Sequence, residues 1–380
     1  MTVRFIQIDS ITLREIHLSL KEPFRISSGV THTRKILLLE FKTVDGVVEW
    51  SECVAGEEPN YSPETIDTAW LAIREWVVPR VLGKQFRDPG EVRPILEHDF
   101  RGHNMAKAAV EMGIWALAAR ASGVPLSKLI GGVREEIEVG ISLGIQATPQ
   151  LLAEKVKRSL DRGYRKVKMK VEPGKDIEFV RVVREAIGPE AHLMVDANNA
   201  YAEGDFKTLQ ELDWFNLMMI EQPLAWDDLV AHAKLQKLLK TPLCLDESIT
   251  GVDRAGDMIE LKSGRIINIK PGRVGGFSSS IAIHDLCAAH GIPVWCGGML
   301  ESGIGRSYNV ALASLPNFIL PGDISPSERY WEQDIVVPEW TMSREGKINV
   351  PNDKPGIGVE VDRDRIENLT VRSETLRTAR

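Results

Sequence analysis

The stretches Val167-Lys168-Met169-Lys170-Val171, Leu193-Met194-Val195-Asp196, Leu217-Met218-Met219-Ile220-Glu221, Leu243-Cys244-Leu245-Asp246 and Ile266-Ile267-Asn268-Ile269-Lys270 decide the fold. Each is a short apolar run that closes on a charged residue, and Lys170, Asp196, Glu221, Asp246 and Lys270 follow one another at intervals of 24 to 26 residues. Amphipathic helical stretches lie between the runs, for example Asp176 to Ile187 and Leu229 to Leu239. With Val139 to Leu143 before them and Val294 to Cys296 after, seven or eight strand-helix units in a row predict a parallel sheet closed into a barrel, an α/β fold. The active site of such a barrel lies at the C-terminal ends of its strands, where the five charged residues fall.

Outward from the repeat the text changes. Phe5 to Leu13 and Ile36 to Lys42 are short and β-branched, and Asp45-Gly46 precedes Val47 to Trp50, which predicts an antiparallel meander with a tight turn. A helical pattern begins after Ser62-Pro63-Glu64, so the first domain is α+β. Met105 to Ala121 is alanine-rich and apolar on most faces, as suits a buried helix joining two domains. Residues 1–130 are expected to form the α+β domain, 131–325 the barrel with the active site, and 326–380 a segment returning to the first domain, with Lys347 to Val361 packing there as strands.

The net charge of -7 and pI near 5.7 give no basic field, which argues against nucleic acid or an anionic membrane as partner. Cys53, Cys244, Cys287 and Cys296 lie far apart with no C-x-x-C pair, so they read as buried free thiols. Met1 to Leu20 has no uninterrupted apolar core of the kind a signal peptide needs, and no run reaches the roughly 18 apolar residues of a membrane span. A cytoplasmic enzyme acting on a small-molecule carboxylate, and forming a homo-oligomer, is expected.

Three carboxylates on consecutive strands, Asp196, Glu221 and Asp246, would converge in one mouth and repel one another unless a cation sat between them. Either a metal or shared salt bridges with the lysines would serve. Oxygen ligands without His or Cys favour Mg2+ or Mn2+. Lys168 and Lys170 stand two apart on one strand and share a face. Forced together beside a cation, they are expected to have depressed pKa values, as a base near neutral pH requires. Lys270 enters four units further round, so two lysines could reach opposite faces of the α-carbon of a bound carboxylate, the geometry for racemisation or for abstraction followed by elimination. Glu247 is expected on the opposite face of its strand from Asp246. Pro23 to Arg34 reads either as an ordinary connection or as a loop closing over the mouth with Phe24 as a contact. Gly272, Gly275 and Gly276 lack phosphate-loop spacing and read as a tight turn.

Lys168-Met169-Lys170, Asp196-Ala197-Asn198, Glu221-Gln222-Pro223, Asp246-Glu247-Ser248 and Lys270-Pro271-Gly272-Arg273-Val274-Gly275-Gly276 resemble the successive strand-end motifs of the enolase superfamily, muconate-lactonising-enzyme subgroup, over essentially the whole chain. Gly297-Gly298-Met299-Leu300-Glu301-Ser302-Gly303-Ile304-Gly305 and Arg273 are most similar to the o-succinylbenzoate synthase and N-succinylamino acid racemase family. The resemblance implies a cap over the barrel, Mg2+ on Asp196, Glu221 and Asp246, and Lys170 and Lys270 as acid/base pair. It also implies Lys168 as holder of the substrate carboxylate, Asn198 near the metal-bound end, and Ser142, Gly298 and Met299 beside the succinyl-bearing substrate. Glu247 then supports the ligands, and Arg273 either tunes Lys270 or binds backbone. Mandelate-racemase-like enzymes use a histidine where this chain has Cys296-Gly297-Gly298, and dipeptide epimerases carry Asp-x-Asp where it has Asp323-Ile324-Ser325. Dipeptide epimerase, muconate cycloisomerase, Schiff-base aldolase and non-enzymatic carboxylate binding are the rival readings.

Overall fold

The computed structural model describes residues 5–26 and 29–378; residues 1–4, 27–28 and 379–380 lie outside it. The chain opens with an antiparallel sheet of β1 (Ile6–Ile26), β2 (Gly29–Thr43) and β3 (Val48–Cys53). Between β2 and β3 the Asp45-Gly46 turn holds, with Gly46 at φ 87 donating its N–H to Thr43. The run Ile36-Leu37-Leu38-Leu39 is apolar at every position because this sheet is covered on both faces. Ile16, Leu18, Ile36 and Leu38 face the barrel, while Ile11, Leu13, Leu37 and Leu39 face cap helices. The helix α1 (Asn104–Ala121) belongs to both cores. Ala108 and Met112 pack on the barrel side and Val110 and Ile114 on the cap side, so the helix keeps no solvent-facing side and even Lys107 and Glu111 are buried.

Seven parallel strands follow: β4 (Gly140–Leu143), β5 (Lys166–Lys170), β6 (Leu193–Asp196), β7 (Ile220–Glu221), β8 (Leu243–Leu245), β9 (Ile266–Ile269) and β10 (Val294–Cys296), each beside the next. The eighth place is taken by an irregular segment that bridges both edges, Phe318 to Val294 and Gly322 to Val139. The ring therefore closes with seven regular strands. Side-chain alternation divides its interior into layers. Met194, Met219, Cys244, Ile266 and Trp295 form an apolar floor. One inward step further along β6, β7 and β8 come Asp196, Glu221 and Asp246.

Two expectations are corrected. Lys347 to Val361 meets the first domain only in part, where Gly356 exchanges backbone hydrogen bonds with Val124 and Leu126; its strands pair elsewhere, Lys347–Asn349 with Glu136–Glu138 and Glu360–Val361 with Val336–Val337. It is β11 (Thr370–Arg377) that pairs with β1, which gives the cap sheet the order β11-β1-β2-β3. Pro23 to Arg34 is mostly not a loop, because β1 and β2 continue pairing to Ile26 and Gly29, with Phe24 opposite Thr31. This long hairpin reaches the barrel mouth, where the Arg25 carbonyl accepts the Ile145 N–H just beyond β4 at 3.0 Å. Ser27 and Ser28, part of the expected loop, lie outside the described residues. No helix among the described residues is long and apolar enough to cross a membrane.

Candidate active site

Strand register brings the charged residues level. Lys170 pairs with Asp196, and Asp196 with Glu221. Asp246 and Lys270 stand one residue past β8 and β9 in the inward phase. Alternation along β5 puts Lys166, Lys168 and Lys170 on one inward row, all buried.

The lysines and carboxylates interlock. Lys168 Nζ lies 2.7 Å from Asp323 Oδ2, 3.0 Å from Glu221 Oε2 and 3.2 Å from Asp196 Oδ2. Lys170 Nζ donates to Asp196 Oδ2 at 2.5 Å and to Asn198 Oδ1 at 2.7 Å. Lys270 Nζ donates to Asp246 Oδ2 at 2.8 Å, and Arg273 Nη1 pairs with Asp246 Oδ1. Asn268 Nδ2 donates to Glu221 Oε1 at 2.7 Å. Burial would raise Asp196, but Lys170 and Lys168 outweigh it and hold the carboxyl below its ordinary value. Asp323 falls to about 2, since Lys166 and Lys168 overcome its burial. Glu221 goes the other way, pushed up to about 8 by burial and then by the Asp196 charge.

The protein neighbours of Lys168 oppose the expected depression of its pKa. Burial lowers Lys168, but Asp323, Glu221 and Asp196 together lift it well above its ordinary value, and Asp246 does the same for Lys270. Lysine-lysine repulsion is the smaller effect here.

As the side chains stand, no group of three His, Cys, Asp or Glu among the described residues is arranged around a metal position. Ammonium groups occupy the space between the acids. The donors nevertheless fit a divalent cation. Three buried carboxylates on adjacent strands, one of them pushed up in pKa by burial and then by its neighbour's charge, call for positive charge, and all-oxygen donors suit a hard ion.

The structure brings the other expected residues to this mouth with some changes. Ser142 is paired in register with Lys168, and its buried Oγ makes no hydrogen bond among the described residues. Gly298 lies against the closing segment, where an added Cβ would stand 2.6 Å from the Asp323 carbonyl oxygen. Met299 borders a small cavity beside Lys270. Glu247 does not point away, because β8 has ended at Leu245 and alternation no longer governs it. Its Oε1 accepts from Asn198 and Asn199, both at 3.1 Å, and burial with the Asp246 and Asp196 charges raises it to about 7. Arg273 binds the Ile249 and Asn268 carbonyls and also pairs with Asp246, the carboxylate that holds Lys270.

Sequence reasoning missed Asn268 and Lys166 as site residues, although each shares the inward phase of a residue it named. Lys166 Nζ lies 3.5 Å from the Trp295 ring centroid and 3.2 Å from Asp323. Asp323 was read only for the aspartate missing after it. Tyr61 gave no signal at all. It comes from the cap, and its hydroxyl donates to Asp246 Oδ1 at 2.8 Å. Beyond it a cavity of about 1000 Å3 opens between the hairpin and the turn after β10, lined by Val30, Arg34, Tyr61, Met299 and Leu300.

Residues 8–131 match the mandelate racemase / muconate lactonizing enzyme N-terminal domain, and 151–365 the enolase C-terminal domain-like family. The chain is 50% identical to an o-succinylbenzoate synthase of Geobacillus kaustophilus over 96% of each chain. It is 46% identical to an N-succinylamino acid racemase of Thermus thermophilus, over 96% of this chain and 98% of that one. A solved enolase-superfamily structure from Listeria innocua superposes with a TM-score of 0.94 at 40% identity, covering 98% of this chain and 99% of that one.

Proposed function

The chain belongs to the mandelate racemase / muconate lactonizing enzyme family of the enolase superfamily, and from that premise we propose that it abstracts the α-proton of a succinylated carboxylic acid through an enediolate. Loss of water then gives o-succinylbenzoate, and reprotonation racemises an N-succinylamino acid. One observation carries the reading: Lys170 and Lys270, on strands four places apart in the ring, are both turned onto one row of buried carboxylates.

The roles follow from position. Lys170 on one side and Lys270 on the other take or return the proton at the α-carbon. Lys168, kept charged by its acidic neighbours, holds the substrate carboxylate, with Asn198 orienting Lys170 beside it. Asp196, Glu221 and Asp246 are the residues that would hold Mg2+ or Mn2+, which supplies positive charge to the developing enediolate. Ser142 offers its hydroxyl beside Lys168, while Gly298 and Met299 border the succinyl arm. The cap excludes water.

Asp323 supports the succinyl preference over dipeptides. Its two oxygens face Lys166 and Lys168, and the position two residues on is the buried Ser325, so the Asp-x-Asp pair that would hold an α-ammonium group is not present there. The test is a substrate panel with Mg2+. N-succinyl amino acids with apolar side chains should racemise faster than free amino acids or dipeptides, alongside dehydration to o-succinylbenzoate. A preference for dipeptides would refute the succinyl assignment and leave the family chemistry standing.

A further inference from the structure

Tyr61 reaches the mouth of the barrel from the other domain. It lies between β3 and the cap helix Ile66–Ala72. Its hydroxyl donates to Asp246 Oδ1 at 2.8 Å and accepts from Arg273 Nη1 at 3.1 Å. Its ring centroid is 4.4 Å from Lys270 Nζ, within range for the ring face to attract the ammonium group. Tyr61 thus touches Lys270 and also the carboxylate that holds Lys270.

Among the described residues Lys170 has no matching support. Its contacts, Asp196 at 2.5 Å and Asn198 at 2.7 Å, come from the barrel alone. Tyr61 therefore gives the Lys270 side of the mouth a cap contact to its lysine, and it also walls the cavity next to Met299.

We propose that Tyr61 is a positioning residue for one side of the site: its hydroxyl fixes the Asp246 carboxylate and its ring fixes the Lys270 ammonium, so the cap governs proton transfer by Lys270 while Lys170 answers to the barrel. The proposal rests on the two-base reading above. A merely structural tyrosine would affect both sides together.

The experiment follows solvent deuterium into the α-carbon of each enantiomer of an N-succinyl amino acid, at saturating substrate and Mg2+. Lys170→Ala and Lys270→Ala assign each enantiomer to its lysine. Tyr61→Phe keeps the ring and removes the hydroxyl; Tyr61→Leu removes both. Tyr61→Phe should slow exchange of the Lys270 enantiomer about tenfold and leave the Lys170 enantiomer within about twofold, with Tyr61→Leu further in the same direction. Equal loss for both enantiomers, or loss for neither, overturns the proposal and leaves the two bases in place. Mg2+ affinity, measured by calorimetry with the metal alone, should stay near the parent value. A fall in affinity matching the fall in exchange would place the effect on the ligand set and overturn the proposal too. If Lys270→Ala still exchanges both enantiomers at the parent rate, the two-base reading fails first and this proposal falls with it.

Discussion

Lys170 and Lys270 differ in what a substitution should reveal. Racemisation needs one base to remove the proton and another to return it from the far side, so Lys170→Ala and Lys270→Ala should each lower it by about a thousandfold or more. Each variant should retain exchange of one enantiomer only, and residual dehydration should be found in Lys270→Ala rather than Lys170→Ala. Racemisation near the parent rate in either variant, read by polarimetry, would show the two-sided arrangement to be wrong. These lysines were legible in the sequence because strand alternation and a regular repeat fix their direction locally. The same logic extends to Lys166 and Asn268, two residues before Lys168 and Lys270 in the same inward phase. It could not extend to Glu247, where the strand had already stopped, or to Tyr61, which meets Asp246 across 185 positions of chain from a segment with no periodicity. Nor could it extend to Asp323, which of the acids acts most strongly on Lys168 but sits in an irregular segment whose inward turn no pattern announces.

Helix ends show how the cap is fastened to the barrel. Glu111 on α1 accepts the Phe277 and Ser278 N–H groups, at 2.8 and 2.9 Å, at the start of α2 (Phe277–Ala289). Glu52 on β3 accepts Ser302 N–H at 3.1 Å, Ser302 Oγ at 2.6 Å and Gly305 N–H at 3.1 Å at the start of α3 (Gly303–Ala313). Both carboxylates complement the unpaired donors and the dipole of a barrel helix. The glycine run is explained by the same docking. A Cβ on Gly276 would stand 2.4 Å from Glu111 Oε2, and one on Gly272 would stand 2.3 Å from Val54 Cγ2. Glu111→Ala should therefore cost on the order of 2 kcal/mol of stability, since it strands buried donors, measurable as a shifted denaturant midpoint; an unchanged midpoint would disprove the clamp. Glu52 gives a pH test. Burial first, and the nearby Glu301 charge in the same direction, push its carboxyl up to about 8 against the Ser302 hydrogen bond. From the ordinary carboxyl range of about 4.3 up to that value the folded chain holds one proton more than the unfolded chain, so this group's contribution to stability declines as pH rises. The melting temperature of Glu52→Gln relative to the parent should thus rise between pH 5 and pH 8. A difference that is flat or falls with pH would contradict the assignment.

At the scale of the molecule, a chain of net charge -7 gathers lysines and acids from the ends of five consecutive barrel strands and the closing segment, with a tyrosine from the cap, into one mouth. The barrel half was legible because its contacts repeat at a fixed interval. The docking of cap on barrel was not, since Glu52 and Ser302 meet across 250 positions and nothing local marks either as the other's partner. The charge balance of this mouth leads to the last prediction. Glu221, pushed up to about 8 among acidic neighbours, and Asp196 and Asp246, held below their ordinary values by lysines and arginine, leave the row dependent on cations for its stability. A divalent ion held by Asp196, Glu221 and Asp246 would bind the folded chain alone, because the unfolded chain does not bring the three together. Mass action then requires Mg2+ to raise the melting temperature as its concentration passes the dissociation constant, by about 2.7 kcal/mol of stability at a hundredfold excess over that constant. Chelation should remove both this increment and α-proton exchange, and Mg2+ or Mn2+ should restore both. Asp196→Asn, which removes one charge from the row, should reduce the Mg2+-dependent rise as well as the exchange rate. Full exchange in a preparation shown by elemental analysis to be free of divalent metal would sink the ligand assignment, and a melting temperature indifferent to Mg2+ would do the same by an independent route.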